Sequence, residues 1–393
     1  MIQFADRMSM LKGSEIREFM ALTAKSDFIS FAGGMPAPEL FPTEQIMEAA
    51  RIVLEEKGQE ALQYGTTEGI PRLREQIAER MKAKNNISTD ADHILMTSGS
   101  QEGLAFSAQV FLNKGDIVLL ESPSYLGAIN AFKTCEPNFI EIPTDSDGML
   151  MDELENVLQS TENVKMIYVI PDFQNPSGKT WSLERRKQFM ELVNQYEIPV
   201  IEDNPYGELR FEGEYLPALK SMDTKGFVVY LGTFSKILAP GFRLGWICAK
   251  EKILAKYNFI KQAYSLQAPT ISMLIASQWM DMYDLDAHVE KIRDCYKKRK
   301  NIMLEIMRKE LPDSCTFTDP EGGLFTWIEL PEHVNAKELS VKCFNEKVAF
   351  VTGTGFYPNG GHENTLRLNY SNMPEKKIKE GMMKLCRIIK ENI

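Results

Sequence analysis

Phe227-Val228-Val229-Tyr230-Leu231 runs straight into Gly232-Thr233-Phe234-Ser235-Lys236-Ile237-Leu238-Ala239-Pro240-Gly241-Phe242-Arg243. The first five residues are apolar without a break, as a strand buried on both faces must be. The abrupt change to Gly, Pro, two hydroxyls, a lysine and an arginine marks a loop at the carboxyl end of that strand. Six more short runs of the same kind occupy 93–97, 116–120, 139–142, 166–170, 199–201 and 244–248. Helix-length stretches separate several of them. The clearest spans 182–196: Ser182 is placed to cap its start, Glu184 sits at the positive end of its dipole, and Leu183, Phe189, Leu192, Val193 and Tyr196 form an apolar stripe. Continuous apolar strands alternating with helices predict an α/β fold with a sheet covered on both faces.

The rest of the composition narrows the function classes. A chain of 393 residues suggests two or three domains at roughly 100 to 200 residues each. With 44% apolar and 25% charged residues it is an ordinary globular mixture, which excludes wholesale disorder. The 45 basic residues against 55 acidic ones leave a net charge of −10, so no global field draws the chain to nucleic acid or anionic lipid. The longest apolar runs, such as 166–170 and 227–231, are far short of the roughly 20 residues a membrane-spanning helix needs. Asp6, Arg7 and Lys12 leave no room for the apolar middle of a secretory signal, so a cytoplasmic location is expected. Cys135, Cys248, Cys295, Cys315, Cys343 and Cys386 form no C-x-x-C pair and gather no histidine cluster, so they read as reduced thiols and no metal site is expected. After about residue 270 the pattern changes. Segment 291–310 carries eight Lys or Arg against three acids around a seam of Ile292, Tyr296, Ile302 and Ile306, which reads as a helix with a solvated basic face.

Open parallel sheets bind ligands beyond the carboxyl ends of their strands, where loops converge and helix amino termini point inward. Four loops with pointed chemistry lie at such places. Ser98-Gly99-Ser100-Gln101-Glu102-Gly103 opens a helix after the first strand, with backbone N–H groups suited to a phosphate. Pro171-Asp172-Phe173-Gln174-Asn175-Pro176-Ser177-Gly178 follows 166–170, and Glu202-Asp203-Asn204-Pro205-Tyr206 follows 199–201. The loop carrying Lys236 and Arg243 is the fourth. Pyridoxal phosphate makes use of all of them. It needs a lysine amine for a Schiff base, a carboxylate to keep its ring nitrogen protonated, donors at its phenolic oxygen, and a cationic, hydroxyl-lined cup for its phosphate.

The stretch Thr233-Phe234-Ser235-Lys236 through Pro240-Gly241-Phe242-Arg243-Leu244-Gly245 resembles the lysine signature S-x-S-K-x-x-x-P-G-x-R-x-G of class I, fold-type-I aminotransferases. Asn175-Pro176-x-Gly178, Asp203-x-x-Tyr206 and Arg367, in Asn364-Thr365-Leu366-Arg367-Leu368, follow in the family's order. The resemblance extends from about Gly33 to Arg367. Phe31-Ala32-Gly33-Gly34-Met35-Pro36, Leu40-Phe41-Pro42 and Gln63-Tyr64 look most like the subgroup with 2-aminoadipate and kynurenine aminotransferases. Thr233 departs from the usual serine but keeps the hydroxyl.

This resemblance implies a large domain, 46–270, built on a mostly parallel seven-stranded sheet, and a small α+β domain, 271–393, joined by the segment 1–45. It makes Lys236 the Schiff-base lysine and proton carrier, and Asp203 the partner of the ring nitrogen. Asn175 and Tyr206 would hold the phenolic oxygen, and Tyr125 would stack on the ring. Ser100, Gln101, Thr233, Ser235 and Arg243 would bind the phosphate, with Tyr64 reaching it from the other subunit of a homodimer. Arg367 would grip the substrate carboxylate beside Asn175 and Gly34, and Arg17, in Ser14-Glu15-Ile16-Arg17-Glu18, is placed to meet an acidic side chain. The implied reaction is ping-pong transamination of an amino acid of the aminoadipate, aromatic or branched-chain type with 2-oxoglutarate. β-Elimination or decarboxylation on the same lysine, and a transcription regulator with an aminotransferase-like domain, are the competing readings; no nucleic-acid or membrane partner is expected.

Overall fold

The computed structural model describes residues 2–9 and 28–393. The strands in chain order are β1 (Ile29–Ser30), β2 (Ile94–Thr97), β3 (Ile117–Ser122), β4 (Asn138–Asp145), β5 (Gly148–Met149), β6 (Val164–Val169), β7 (Val200–Asp203), β8 (Val228–Thr233) and β9 (Gly245–Cys248). They continue with β10 (Thr316–Phe317), β11 (Phe325–Glu329), β12 (Val348–Ala349), β13 (Val351–Thr352) and β14 (Thr365–Asn369). All seven runs read from sequence form strands of one sheet, in the order β2-β9-β8-β7-β6-β3-β4, and two-residue β5 hairpins onto its edge. The β8-β7, β7-β6, β6-β3 and β3-β4 pairings are parallel, whereas β9 runs antiparallel to its neighbours β2 and β8, as edge strand β5 does to β4.

Period two along these strands sorts their side chains into two cores. Leu119, Ile167, Val169, Val200 and Val228 pack with Leu154, Phe189 and Val193 from the helices Met151–Ser160 and Leu183–Tyr196. Val118, Leu120, Met166, Tyr168, Ile201 and Val229 face the other way, into the larger core that includes the helices Ser100–Phe111 and Leu126–Lys133. Both faces are therefore covered, at roughly 1.5–3 kcal/mol per buried large aliphatic side chain, and polar residues are left to the strand ends.

Ser182 caps its helix as expected, its Oγ accepting from the Arg185 N–H at 3.2 Å. The stripe differs at one end. Leu183 is 37% exposed, and buried Arg186 takes the inward place, paired with Asp172 at 2.7 Å. The basic run lies in a 26-residue helix, Leu285–Glu310, whose Lys291, Lys298, Arg308 and Lys309 are exposed. The solvated-face reading fails for Arg299 and Lys300, which are buried. Arg299 reaches Glu39 and the Ser371 carbonyl, and Lys300 donates to the Pro320 carbonyl at 3.0 Å, so these two cations tie the helix to the loops it packs against.

A second sheet, β10-β11-β14-β13, is antiparallel throughout. β1 pairs in parallel with β12, and the Asn369 N–H donates to the Phe31 carbonyl at 2.9 Å, so the segment around residue 30 packs with the carboxyl-terminal part of the chain. That joint brings Ala32 and Gly34 from one end of the chain and Arg367 on β14 from the other toward the carboxyl ends of the large sheet. No helix among the described residues is long and apolar enough to cross a membrane.

Candidate active site

Lys236 stands three residues beyond β8. The turn that presents it is built from hydroxyls: Thr233 Oγ1 donates to the Leu244 carbonyl at 3.0 Å and accepts from the Ser235 N–H at 3.1 Å. Its ammonium donates to the Gly34 carbonyl at 2.8 Å. Burial, helped by the nearby positive charges of Arg367 and Arg243, pulls the Lys236 pKa down to about 8. An amine in that state is neutral, and so nucleophilic, in a substantial fraction of molecules at mildly alkaline pH.

Asp203 ends β7 and is buried. Its Oδ2 accepts from the Tyr168 hydroxyl at 2.9 Å, and its Oδ1 has no partner among the described residues. Burial raises its pKa to about 7, opposed by that single hydrogen bond. Asn175 and Tyr206 meet at 3.4 Å, with the Asn175 amide donating to the phenol oxygen. Burial pushes the Tyr206 phenol well above its ordinary value, so it keeps its proton. Arg367 donates to Asn175 Oδ1 at 2.8 Å and to the Ala32 carbonyl at 2.7 Å, while its Nε has no partner among the described residues. Its guanidinium lies over Phe325 at 4.1 Å and near Phe356 at 5.1 Å. Burial lowers its pKa to about 10, which leaves it charged at neutral pH.

The helix Ser100–Phe111 begins at Gly99, at φ +86°, with no side-chain cap on its amino terminus. Arg243, itself left-handed at φ +52°, donates to the Ser98 carbonyl at 3.0 Å. A Cβ added at Gly99 would lie 2.4 Å from Arg243 Nη2, so only glycine lets the arginine close on the loop. Glu102 holds the same loop from the other side, accepting from the Ser98 N–H at 2.8 Å. Ser100 begins the helix, and Gln101 donates to the Gly127 carbonyl at 2.8 Å, with the Tyr125 hydroxyl 3.5 Å from its Oε1.

Nearly all the residues singled out in the sequence thus lie at one sheet edge. Tyr64 stays on the surface, 79% exposed, and Arg17 lies outside the described residues. Three contributors escaped the sequence reading. Tyr168 looked like one more apolar strand residue, and only its hydroxyl in an otherwise aliphatic run distinguished it. Phe325 and Phe356, 89 and 120 residues beyond the lysine, carried no local signal.

The arrangement fits pyridoxal phosphate on its own terms. Asp203 Oδ1 is a buried acceptor that no described residue supplies with a donor; a protonated ring nitrogen would supply one, and leaving the oxygen unpaired costs free energy. The uncapped helix start beside Arg243 is an anion cradle.

Comparison with known proteins agrees. The family model "Aminotransferase class I and II" matches residues 27–385. The chain is 45% identical to aromatic-amino-acid aminotransferase 1 of Thermococcus litoralis, over 99% of this chain and 94% of that one. The solved structure of Pyrococcus horikoshii kynurenine aminotransferase, in complex with PMP, KYN and KYA, superposes with a TM-score of 0.94 at 41% identity, covering 99% of this chain and 97% of that one. The alpha-aminoadipate aminotransferase of Thermus thermophilus, complexed with N-(5'-phosphopyridoxyl)-L-leucine, superposes with a TM-score of 0.92 at 38% identity over 99% and 97% of the two chains. With that match over most of its length, the chain belongs to the class I and II aminotransferases and is a transaminase dependent on pyridoxal phosphate.

Proposed function

We propose that the enzyme moves the amino group of an aromatic, 2-aminoadipate-type or branched-chain L-amino acid to 2-oxoglutarate in two half-reactions at one site. The donor leaves as its 2-oxo acid before the acceptor enters. Bound pyridoxal phosphate supplies an aldehyde that condenses with amines and a ring that withdraws the electron pair released at the substrate Cα. Lys236 is the amine that holds the cofactor and then moves the proton at Cα, a task its lowered pKa suits. Asp203 keeps the ring nitrogen protonated through its free Oδ1. Tyr206 and Asn175 address the phenolic oxygen, and Tyr125 covers the ring. Ser100, Gln101, Thr233, Ser235 and Arg243 hold the phosphate. Arg367 has used two of its five N–H donors, on Asn175 and Ala32, and the remaining ones, including Nε, serve the substrate carboxylate.

The single observation that carries this reading is the Lys236 amine at a buried edge it shares with Asp203 and Arg367. The donor range rests on relatives named for aromatic amino acids, kynurenine and aminoadipate, and on a leucine adduct in one of them. Arg17 is kept as a contact for an acidic side chain on its sequence position alone. A homodimer in which Tyr64 completes the partner's phosphate site is supported by exposed Leu62, Tyr64, Tyr264 and Leu266 on one chain. Six free cysteines suit a reducing, cytoplasmic setting. A panel of amino donors at fixed 2-oxoglutarate tests the proposal. Glutamate should form with aromatic, aminoadipate and leucine-type donors, and ammonia or carbon dioxide released without glutamate would overturn it.

A further inference from the structure

Tyr168 is a phenol in the middle of the large sheet, on a strand whose other inward residues are aliphatic. It pairs in register with Ile201 on β7, and Asp203 lies two residues further along, on the same face. The tyrosine is long enough to reach that diagonal neighbour, and its hydroxyl meets Asp203 Oδ2 at 2.9 Å. The ring is held in place by Phe132 from the adjoining helix, edge-on at 5.5 Å and 77°. Both Tyr168 and Asp203 are buried, so neither has water as an alternative partner.

We propose that Tyr168 is a positioning residue for the cofactor, acting through Asp203: it occupies Oδ2, fixes the carboxylate plane, and leaves Oδ1 as the one acceptor turned to the ring nitrogen. This inference rests on the reading that Asp203 is the partner of that nitrogen. The hydroxyl also favours the ionised carboxylate, in a setting where burial alone would favour the neutral acid. A neutral acid at this place would offer the ring nitrogen a weaker partner, and the electron-withdrawing character of the cofactor would fall with it. Tyr168 is not among the residues proposed above to hold the amino-acid substrate.

The test compares Tyr168→Phe, Asp203→Asn and the double variant, prepared as full-length protein and reconstituted with pyridoxal phosphate. Tyr168→Phe retains the ring against Phe132, so its cofactor-free form should melt close to the parent. Its dissociation constant for pyridoxal phosphate should rise by about tenfold, equivalent to about 1.4 kcal/mol. Its kcat should fall while KM for the amino donor stays within about twofold, because the lost interaction does not involve substrate. In the Asp203→Asn background the same substitution should change neither quantity, since its effect runs through the carboxylate. Unchanged cofactor affinity and kcat in Tyr168→Phe, with Asp203→Asn itself impaired, would overturn the role of Tyr168. Equal losses in both backgrounds would also overturn it, as general packing. An unimpaired Asp203→Asn would instead remove the reading of Asp203 on which the inference stands.

Discussion

Arg367 shows how much of this site is decided by single side chains. A buried guanidinium is costly to desolvate, and here the cost is offset by two carbonyl-type acceptors and by the faces of Phe325 and Phe356. Lysine in its place would keep one charge and lose the planar fork, along with the bond that orients Asn175. Arg367→Lys should therefore lower kcat/KM by about 10- to 100-fold, about 1.4 to 2.8 kcal/mol, with cofactor affinity little changed; steady-state kinetics at several donor concentrations would reveal unaltered values if Arg367 were only structural. At this scale the sequence was informative wherever a residue type was unusual for its setting. A lysine between hydroxyls and a Gly-Pro loop, or an Asp at a strand end, could be read directly. Tyr168 could not, because a phenol in a buried strand is chemically ambiguous until its partner is known, and that partner is 35 residues away.

Among the elements, the turn that opens the helix Ser100–Phe111 bears most directly on function. Gly99 combines φ +86° with the close approach of Arg243, so a methyl group is opposed both by backbone strain and by contact with the guanidinium. Gly99→Ala should open the cradle and raise the dissociation constant for pyridoxal phosphate by about tenfold or more, about 1.4 kcal/mol or greater, while the rest of the sheet stays folded. Equilibrium titration of the cofactor-free variant, with circular dichroism as the fold control, measures this; parent-like affinity would show that the loop does not hold the phosphate. The seven strands were legible because residues buried on both faces leave unbroken apolar runs. Helix faces were less so. Arg186 displaced Leu183 from the inward side because Asp172 waits there, and Arg299 and Lys300 are buried because Glu39 and Pro320 come from elsewhere in the chain. Local spacing cannot register partners supplied by distant segments.

In the whole molecule, two ends of one chain meet at a single sheet edge, and a second copy is proposed to complete it. The exposure of Tyr64, with Leu62, Tyr264 and Leu266 also exposed, leads us to expect a dimer as the active species. Sedimentation of active enzyme should give twice the chain mass of 44.8 kDa, and full activity in a species of single-chain mass would remove the partner role of Tyr64. The order of the sheet, and the pairing of β1 with β12 that brings Gly34 to Lys236, are long-range facts that no window of sequence contains. Lys236 is proposed above as the amine that takes the cofactor, and its lowered pKa gives that role a pH signature. An ordinary lysine is almost wholly protonated below pH 9, whereas one near 8 has roughly a quarter of its amine neutral at pH 7.5. Cofactor-free protein would be incubated with pyridoxal phosphate across pH 6.5 to 9, reduced with borohydride, digested and mapped by mass spectrometry. The phosphopyridoxyl label should fall on Lys236, and its rate of uptake should climb with pH, pass its half-maximum near 8 and level off toward 9; a label on another lysine, or none, would show that Lys236 is not the cofactor's amine.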